Sequence, residues 1–383
     1  MKVTSDVKLW LSHSSVQSYF QIFDKYTEES IVQYSCQLLN NLDKTTNLLK
    51  PEILGPFQDC LSAKNQKRGV SALVIEPKGL NIAYYCFKNG DDKYFLLDKN
   101  GTGFQDSCLY QDFYKTLPDL QQVRPIYKFI AKKKSVWIFP RAQYGHYIYD
   151  EVLPSLVGYF LAANEPPESV HMIISRPWQY QVVSSLLELL FGKVISIVLH
   201  KAPSLTSLLQ ITGGYIMIPS YWRLHMRAKE MIHSNIMVNQ AESRGSKIFL
   251  TRHGFDNVKQ NRILNYGEIS NTLTSNNFQT VAPHKYTLKA LSHILSNAKL
   301  IVSESGTIPL LAYITSSISC EIIPMFSFRC ISDCDDKYIY SGWRYHIPWL
   351  SSIQKVAWGI PNEFNTNPFS DKCWYNKSYF QDL

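Results

Sequence analysis

Lys247-Ile-Phe-Leu-Thr251, Phe278-Gln-Thr-Val-Ala282, Leu300-Ile-Val-Ser303 and Ser319-Cys-Glu-Ile-Ile323 are four short runs rich in Ile, Val and Phe. Three helix-length segments separate them: Gly267 to Ser275, Thr287 to Ala298 and Ser305 to Ile314. Parallel strands need a crossover long enough to return the chain to the same sheet edge, so this alternation predicts βαβ units and a largely parallel sheet. Four strands with three intervening helices make a doubly wound half-sheet, and that decides the class as α/β.

The same alternation runs upstream. Ser135 to Pro140 (SVWIFP) reads as a buried strand, followed by a loop and an apolar helical stretch ending near Ala163. Val170 to Ser175 is a strand, Trp178 to Phe191 a helix and Val194 to Leu199 a strand, with Tyr215 to Ile218 as a further candidate. The polar stretch His225 to Gly245 reads as a helix plus linker at a domain boundary. Before Ser135, Ser71 to Glu76 and Lys93 to Leu97 look like strands, whereas Val16 to Leu39 alternates too irregularly to assign. Lys88 to Asp92 and Lys99 to Thr102 hold Asn-Gly pairs, which supply the positive φ of tight turns. Beyond Pro324 the chain is rich in aromatics and Asp and reads as a segment that wraps back. The resulting division is an N-terminal β-containing extension (1–120), two α/β domains (121–235 and 236–350) and a returning tail (351–383).

Composition narrows the class. With 383 residues, 45% of them apolar, and 24 Tyr, 19 Phe and 8 Trp, the chain is no disordered polymer. Eight dispersed cysteines make no disulfide scaffold, and Cys330-x3-Cys334 has no second pair at zinc-site spacing, so reduced thiols and a cytoplasmic location are expected. The most apolar stretch, Val182 to Leu199, is broken by Glu188, Gly192 and Lys193, short of the roughly 20 unbroken apolar residues a bilayer needs. The first fifteen residues carry Lys2, Asp6 and Lys8 and do not read as a secretory signal. A net charge of +8 suits an anionic small ligand or an anionic membrane surface better than a nucleic acid.

Ligands bind such sheets at the carboxyl ends of the strands, which singles out three loops. Arg141-Ala-Gln-Tyr-Gly-His-Tyr-Ile-Tyr-Asp-Glu-Val-Leu-Pro154 follows the SVWIFP strand. His146 and Asp150 are four apart and share a face if helical, and Pro154 interrupts the helix they enter. They form either an acid–base pair or a mutual helix cap. Arg252, Lys259 and Arg262 stand at and beyond the end of KIFLTR, as a diphosphate clamp or a solvated basic loop. Ser303-Glu-Ser-Gly-Thr307 joins a strand to a helix, where free amides can hold phosphate oxygens or a hydroxyl simply caps the helix. GxxxxGK[ST], GxGxxG, GxSxG and HExxH are all absent, and the Asp333, Asp335, Asp336 cluster reads as a solvated turn. No metal site is predicted.

In this order the segments resemble glycosyltransferase family 61, which includes plant xylosyl- and arabinosyltransferases and bacterial capsular-polysaccharide proteins. Gln143-Tyr-Gly-His146-Tyr-Ile-Tyr-Asp150-Glu-Val-Leu-Pro154 is similar to the family's first motif, with one extra residue between Asp150 and Leu153. Lys247 to Arg252 followed by Arg262-Ile-Leu-Asn265-Tyr266 is similar to the second, and Leu300 to Thr307 with Cys320-Glu321-Ile-Ile-Pro324 to the third. Ser305 stands where many members have His, and Tyr266 where an acidic residue is usual.

The resemblance implies a GT-B-like architecture, two Rossmann-like domains facing a cleft, with the first on the acceptor side and the second binding the nucleotide sugar. It implies a metal-independent inverting transfer of a sugar, typically from a UDP-sugar co-substrate, with no resident cofactor. His146 or Asp150 would be the base and the other would orient it. Arg252, Lys259 and Arg262 would hold the diphosphate, Ser305, Gly306 and Thr307 the phosphate or ribose, and Asn265 would support the donor pocket. The acceptor would be a saccharide or lipid-linked glycan in surface polysaccharide synthesis, with peripheral contact at the inner membrane face and no nucleic acid. A catalytically inactive glycan-binding or scaffold protein of the same fold is the alternative. An epimerase or dehydrogenase is disfavoured by the missing GxGxxG and Tyr-x-x-x-Lys.

Overall fold

The computed structural model describes residues 3–4, 7–22, 72–86, 93–104, 126–141, 144–219, 224–236, 245–254, 262–304, 308–317, 319–327, 357–361, 373–381 and 383. It is mixed α/β, in two compact units: Met1–Asp24 with Arg68–Leu224, and Lys25–Lys67 with His225–Leu383.

In chain order the first unit contains β1 (Val3–Thr4), α1 (Val7–His13), β2 (Val16–Ile22), β3 (Ala72–Tyr85), β4 (Lys93–Leu97), β5 (Gly103–Phe104), β6 (Ile126–Ile130) and β7 (Ser135–Ile138). A helical turn (Tyr144–His146) and a π-helical turn (Tyr147–Val152) lead into α2 (Leu153–Ala163). Then come β8 (Ser169–Ile174), α3 (Trp178–Phe191), β9 (Ser196–Lys201), β10 (Ser207–Thr212) and β11 (Ile216–Pro219).

Strand β3 organises the larger sheet. Its first half pairs antiparallel with β2 and β11, and its second half with β4 and β10. Strand β6 lies parallel to β10 at one edge. The smaller sheet is parallel, in the order β7-β8-β9, with Ser135, Ser169 and Ser196 in register. The turn expected at Lys99–Thr102 forms: Gly101 takes φ +76°, and Asp98 Oδ1 accepts from the Asn100 and Thr102 amides. The turn expected at Lys88–Asp92 lies outside the described residues.

Several expectations for this unit are corrected. The run expected at Ser71–Glu76 is, from Ala72 on, only the opening of a 14-residue strand. Residues 16–22, too irregular to assign from sequence, form β2. The strand near Tyr215 joins β3 antiparallel instead of extending the parallel sheet. Strands β6 and β10 were not read from the sequence at all. Their partners are each other and a strand more than a hundred residues upstream, so the ordering contact is invisible locally. Strand β9 starts two residues late because Gly192 caps α3 in the left-handed conformation and donates to Glu188 O at 2.8 Å. Trp10, Leu80, Ile82, Tyr84, Leu96 and Phe104 share one apolar core with Trp137, Leu209, Ile211 and Ile216. The segment read as an extension therefore packs with the SVWIFP strand.

The second unit contains α4 (Leu224–Ile236, its first residue counted with the first unit), β12 (Ser246–Leu250), α5 (Tyr266–Ser275), β13 (Phe278–Val281), α6 (Leu288–Ser296) and β14 (Ala298–Glu304). It continues with α7 (Ile308–Thr315), β15 (Glu321–Ser327), β16 (Ala357–Pro361), β17 (Cys373–Trp374) and α8 (Ser378–Gln381). Thr287 caps α6 by accepting from the Ala290 amide. The sheet order is β13-β12-β14-β15-β16-β17, parallel except for β17. Counted from β12 this is the 2-1-3-4-5 order of doubly wound sheets, whose switch point falls between β12 and β14. The returning tail adds strands to this sheet, and its Tyr375 and Phe380 enter the core with Phe249, Leu273, Val302 and Ile323. Among the described residues no helix is long and apolar enough to cross a membrane.

Candidate functional site

The switch point of the second unit is built around one carboxylate. Thr251 and Arg252 follow β12 directly, and Glu304 ends β14, so they meet where the chain leaves adjacent strands in opposite directions. The buried Glu304 side chain accepts from the Thr251 hydroxyl at 2.9 Å, the Arg252 backbone N–H at 2.6 Å and the Arg262 backbone N–H at 3.3 Å. A single acceptor thus sets the main chain of both arginines that the sequence singles out. Beside them the His253 ring stacks on Tyr266, with centroids 3.6 Å apart and planes 9° apart, and Tyr266 stacks in turn on Phe249. Burial raises the Tyr266 hydroxyl pKa above its ordinary value.

Asn265 binds the returning tail. Its Oδ1 accepts from the Tyr375 amide at 3.1 Å, and its Nδ2 donates to Tyr375 O at 2.8 Å and to Glu268 Oε2 at 2.9 Å. These bonds occupy the carboxamide with the protein itself. Glu268 also pairs with Lys377 at 3.2 Å, and the Asn265 and Lys377 hydrogen bonds hold its carboxyl below the ordinary range.

In the first unit the candidate residues stand at the carboxyl edge of β7. Every residue of the π turn, Asp150 included, is buried. A π turn takes up one residue more than an α turn, so the helical register shifts by one residue between Tyr147 and Leu153. Pro154 has no N–H to continue an α-helical ladder back to this turn, so the register break is tolerated there.

Glu151 anchors the turn. Its Oε1 accepts from the Phe139 amide at 2.9 Å, and its Oε2 accepts from the Tyr94 hydroxyl at 2.7 Å and lies 3.4 Å from Arg141 Nε. The Arg141 guanidinium also lies 5.4 Å from the centre of the Tyr94 ring. Burial pushes the Glu151 carboxyl up, and the Arg141 charge and the donated hydrogen bonds oppose that push. Gln179, at the start of α3, joins the two strand ends: its Nε2 donates to Arg141 O, and its Oε1 accepts from the Ser175 and Arg176 amides. Tyr144 and Tyr147 both pack on Trp178, each 5.4 Å between centroids. The Tyr147 hydroxyl is buried without a hydrogen-bond partner among the described residues, and burial raises its pKa well above the ordinary value.

Of the residues expected from sequence, the structure brings Arg252, Arg262 and Asn265 into one edge of the second unit and Asp150 into the corresponding edge of the first. His146 lies in the helical turn just before Tyr147, and its side chain, with Lys259, Ser305, Gly306 and Thr307, lies outside the described residues. Arg141, Glu151, Gln179 and Glu304 were not singled out. Glu151 had a signal as one of the two residues between Asp150 and Leu153, and Glu304 as the carboxylate inside Ser303-Glu-Ser-Gly. Tyr94 had none, being 57 positions from its partner. Among the described residues no three His, Cys, Asp or Glu side chains converge as a metal ligand set.

The chain matches no protein-family model and no curated protein. The resemblance drawn above therefore rests on the motif residues themselves.

Proposed function

We propose that the chain is an inverting glycosyltransferase that moves a sugar from a nucleotide-sugar donor, UDP-linked, to a glycan or lipid-linked saccharide. The observation carrying this reading is the 2-1-3-4-5 sheet with Thr251, Arg252 and Glu304 at its switch point, the position where such sheets take nucleotides. The GT-B arrangement belongs to the same proposal, as does a peripheral position at a cytoplasmic membrane face.

Transfer with inversion needs a base for the acceptor hydroxyl and positive charge for the departing diphosphate. Asp150 or His146 supplies the base, with the buried Glu151–Arg141 pair fixing the turn that carries them. Arg252 and Arg262 supply the charge, joined by Lys259 and the Ser305, Gly306 and Thr307 amides. Asn265 supports the donor pocket from behind by tying Tyr375 to the head of α5.

A panel of nucleotide sugars in a thermal-shift assay tests donor binding and the identity of the donor's nucleobase together. UDP-sugars should raise the melting temperature, and Arg252→Ala or Arg262→Ala should each weaken binding about tenfold. His146→Ala and Asp150→Asn should lose sugar transfer while retaining donor binding. Near wild-type turnover in both variants would overturn the base assignment.

The inactive glycan-binding reading keeps one specific support. Tyr266, standing where the family usually has an acid, is committed to the stack with His253 and Phe249. A chain that neither hydrolyses nor is stabilised by any nucleotide sugar would favour it.

A further inference from the structure

Among the described residues β6 and β9 are each an edge strand, one in each sheet of the first unit. Phe129 of β6 meets His200 of β9 with ring centroids 5.1 Å apart, so the two edges run side by side. By strand alternation Ile126, Lys128 and Ile130 point away from Phe129, and all three are exposed, Ile130 by 75%. The turn leading into β9 presents Val194, 96% exposed, and β9 itself presents Leu199. Leu205 follows in the loop to β10, 66% exposed. Single exposed apolar residues are ordinary, whereas a set gathered along one edge marks an interaction surface.

The charges interleaved with this strip have one sign. Lys128, Lys132 and Lys133 lie on and just after β6, Lys193 precedes β9 and Lys201 ends it. None of the five pairs with a carboxylate among the described residues. The nearby acids, Glu165 and Glu168, are both engaged by Lys134.

We propose that this edge docks the protein on an anionic lipid bilayer. Ile130 and Val194 enter the headgroup boundary, and the lysines lay their apolar stems on it while their ammonium groups reach lipid phosphates. Lysines on an edge strand oppose pairing with another strand, which disfavours a second copy of the chain as the occupant. The surface lies within the first unit and stands whether or not the chain transfers sugar.

The test is sedimentation of the full chain with vesicles of phosphatidylcholine alone and of equal parts phosphatidylcholine and phosphatidylglycerol. Binding is expected to the anionic vesicles only and to fall steeply with added salt. Neutralising Lys132 and Lys133 as Gln should weaken it about fivefold for each lysine. Ile130→Ser/Val194→Ser should weaken it further while leaving the melting temperature unchanged, since both side chains already face solvent. Equal binding to neutral vesicles, no binding to either, or anionic binding untouched by these substitutions would overturn the proposal. So would a dimer in sedimentation velocity that the same substitutions dissociate, because the strip would then be a protein interface.

Discussion

Glu304 and Thr251, 53 positions apart in the chain, are joined across the ends of β14 and β12 by a hydrogen bond of 2.9 Å between carboxylate and hydroxyl. The same carboxylate holds the amides of Arg252 and Arg262, so three donors depend on one buried side chain. The arginines are thereby fixed at the main chain, and their side chains start from a set position.

Replacing Glu304 by Gln turns an N–H₂ group onto at least one of these donors. A buried donor left without an acceptor costs about 1–3 kcal/mol, so urea denaturation should show a loss of about 2 kcal/mol. Thr251→Val removes the hydroxyl that donates to Glu304 and accepts from the His253 amide, so it too should cost about 1–2 kcal/mol. A loss below about 0.5 kcal/mol for Glu304→Gln, within the usual range of neutral surface changes, would show that the cradle is dispensable.

The buried pair of Glu151 and Arg141 should behave as a unit. Glu151→Leu removes the carboxylate beside a buried guanidinium and should destabilise by about 3–5 kcal/mol. Adding Arg141→Met removes that buried charge as well, so the double variant should be more stable than the Glu151→Leu single. Strictly additive losses in equilibrium denaturation would sink the coupling.

His171 and His200 face each other on adjacent strands, Nδ1 to Nε2 at 3.1 Å, against the Trp137 ring. Burial lowers His171 from 6.5 to about 4, helped by the neighbouring imidazole, and lowers His200 as well. The unfolded chain therefore takes up protons first as the solution is acidified. The stability tied to these neutral rings is complete above pH 6.5 and is lost as the pH falls towards about 4. The melting temperature should drop across that window, and His171→Gln should flatten the drop. An unchanged slope in that variant would place the acid sensitivity elsewhere.

Gly213 holds φ +71°, and a Cβ built there would stand 2.3 Å from Ala131 O. Its carbonyl accepts from Trp137 Nε1 at 2.9 Å, in the middle of the first unit's core. Gly213→Ala should cost about 2 kcal/mol or more through left-handed strain and the clash together, measured by thermal or urea unfolding. A neutral substitution would mean that this turn yields easily.

The second unit was largely legible in the sequence because its order comes from local period. Runs such as KIFLT and LIVS are short, apolar and separated by helix-length segments, and a right-handed crossover leaves few ways to join them. The carboxyl strand ends followed from that alternation, and with them the loop position of Arg252 and Arg262, whereas the switch point needed the strand order that only the structure supplies. The first unit was legible in its parallel strands and in single strands such as KYFLL, but not in the pairing of its antiparallel sheet. Strands β6 and β10 find each other and β3 across distant sequence, and nothing in Ile126–Ile130 or Ser207–Thr212 announces the partner. The site followed the same division, since loop positions came from the pattern whereas Tyr94 under Glu151 came from folding alone.

By itself the amino-acid sequence determined the α/β class, the dispersed cysteines, the mild positive charge and the strand ends at which chemistry can be carried. Hydrophobic period and composition are properties of neighbours along the chain, so they survive without a structure. Tertiary structure alone decided that Glu304 cradles two arginine amides, that Glu151 and Arg141 pair beneath the π turn, that Asn265 grips the returning tail, and that lysines and exposed isoleucines share one edge. Each of these joins residues whose separation in sequence says nothing about their distance in space, because burial and hydrogen bonding are settled only when the sheets have formed.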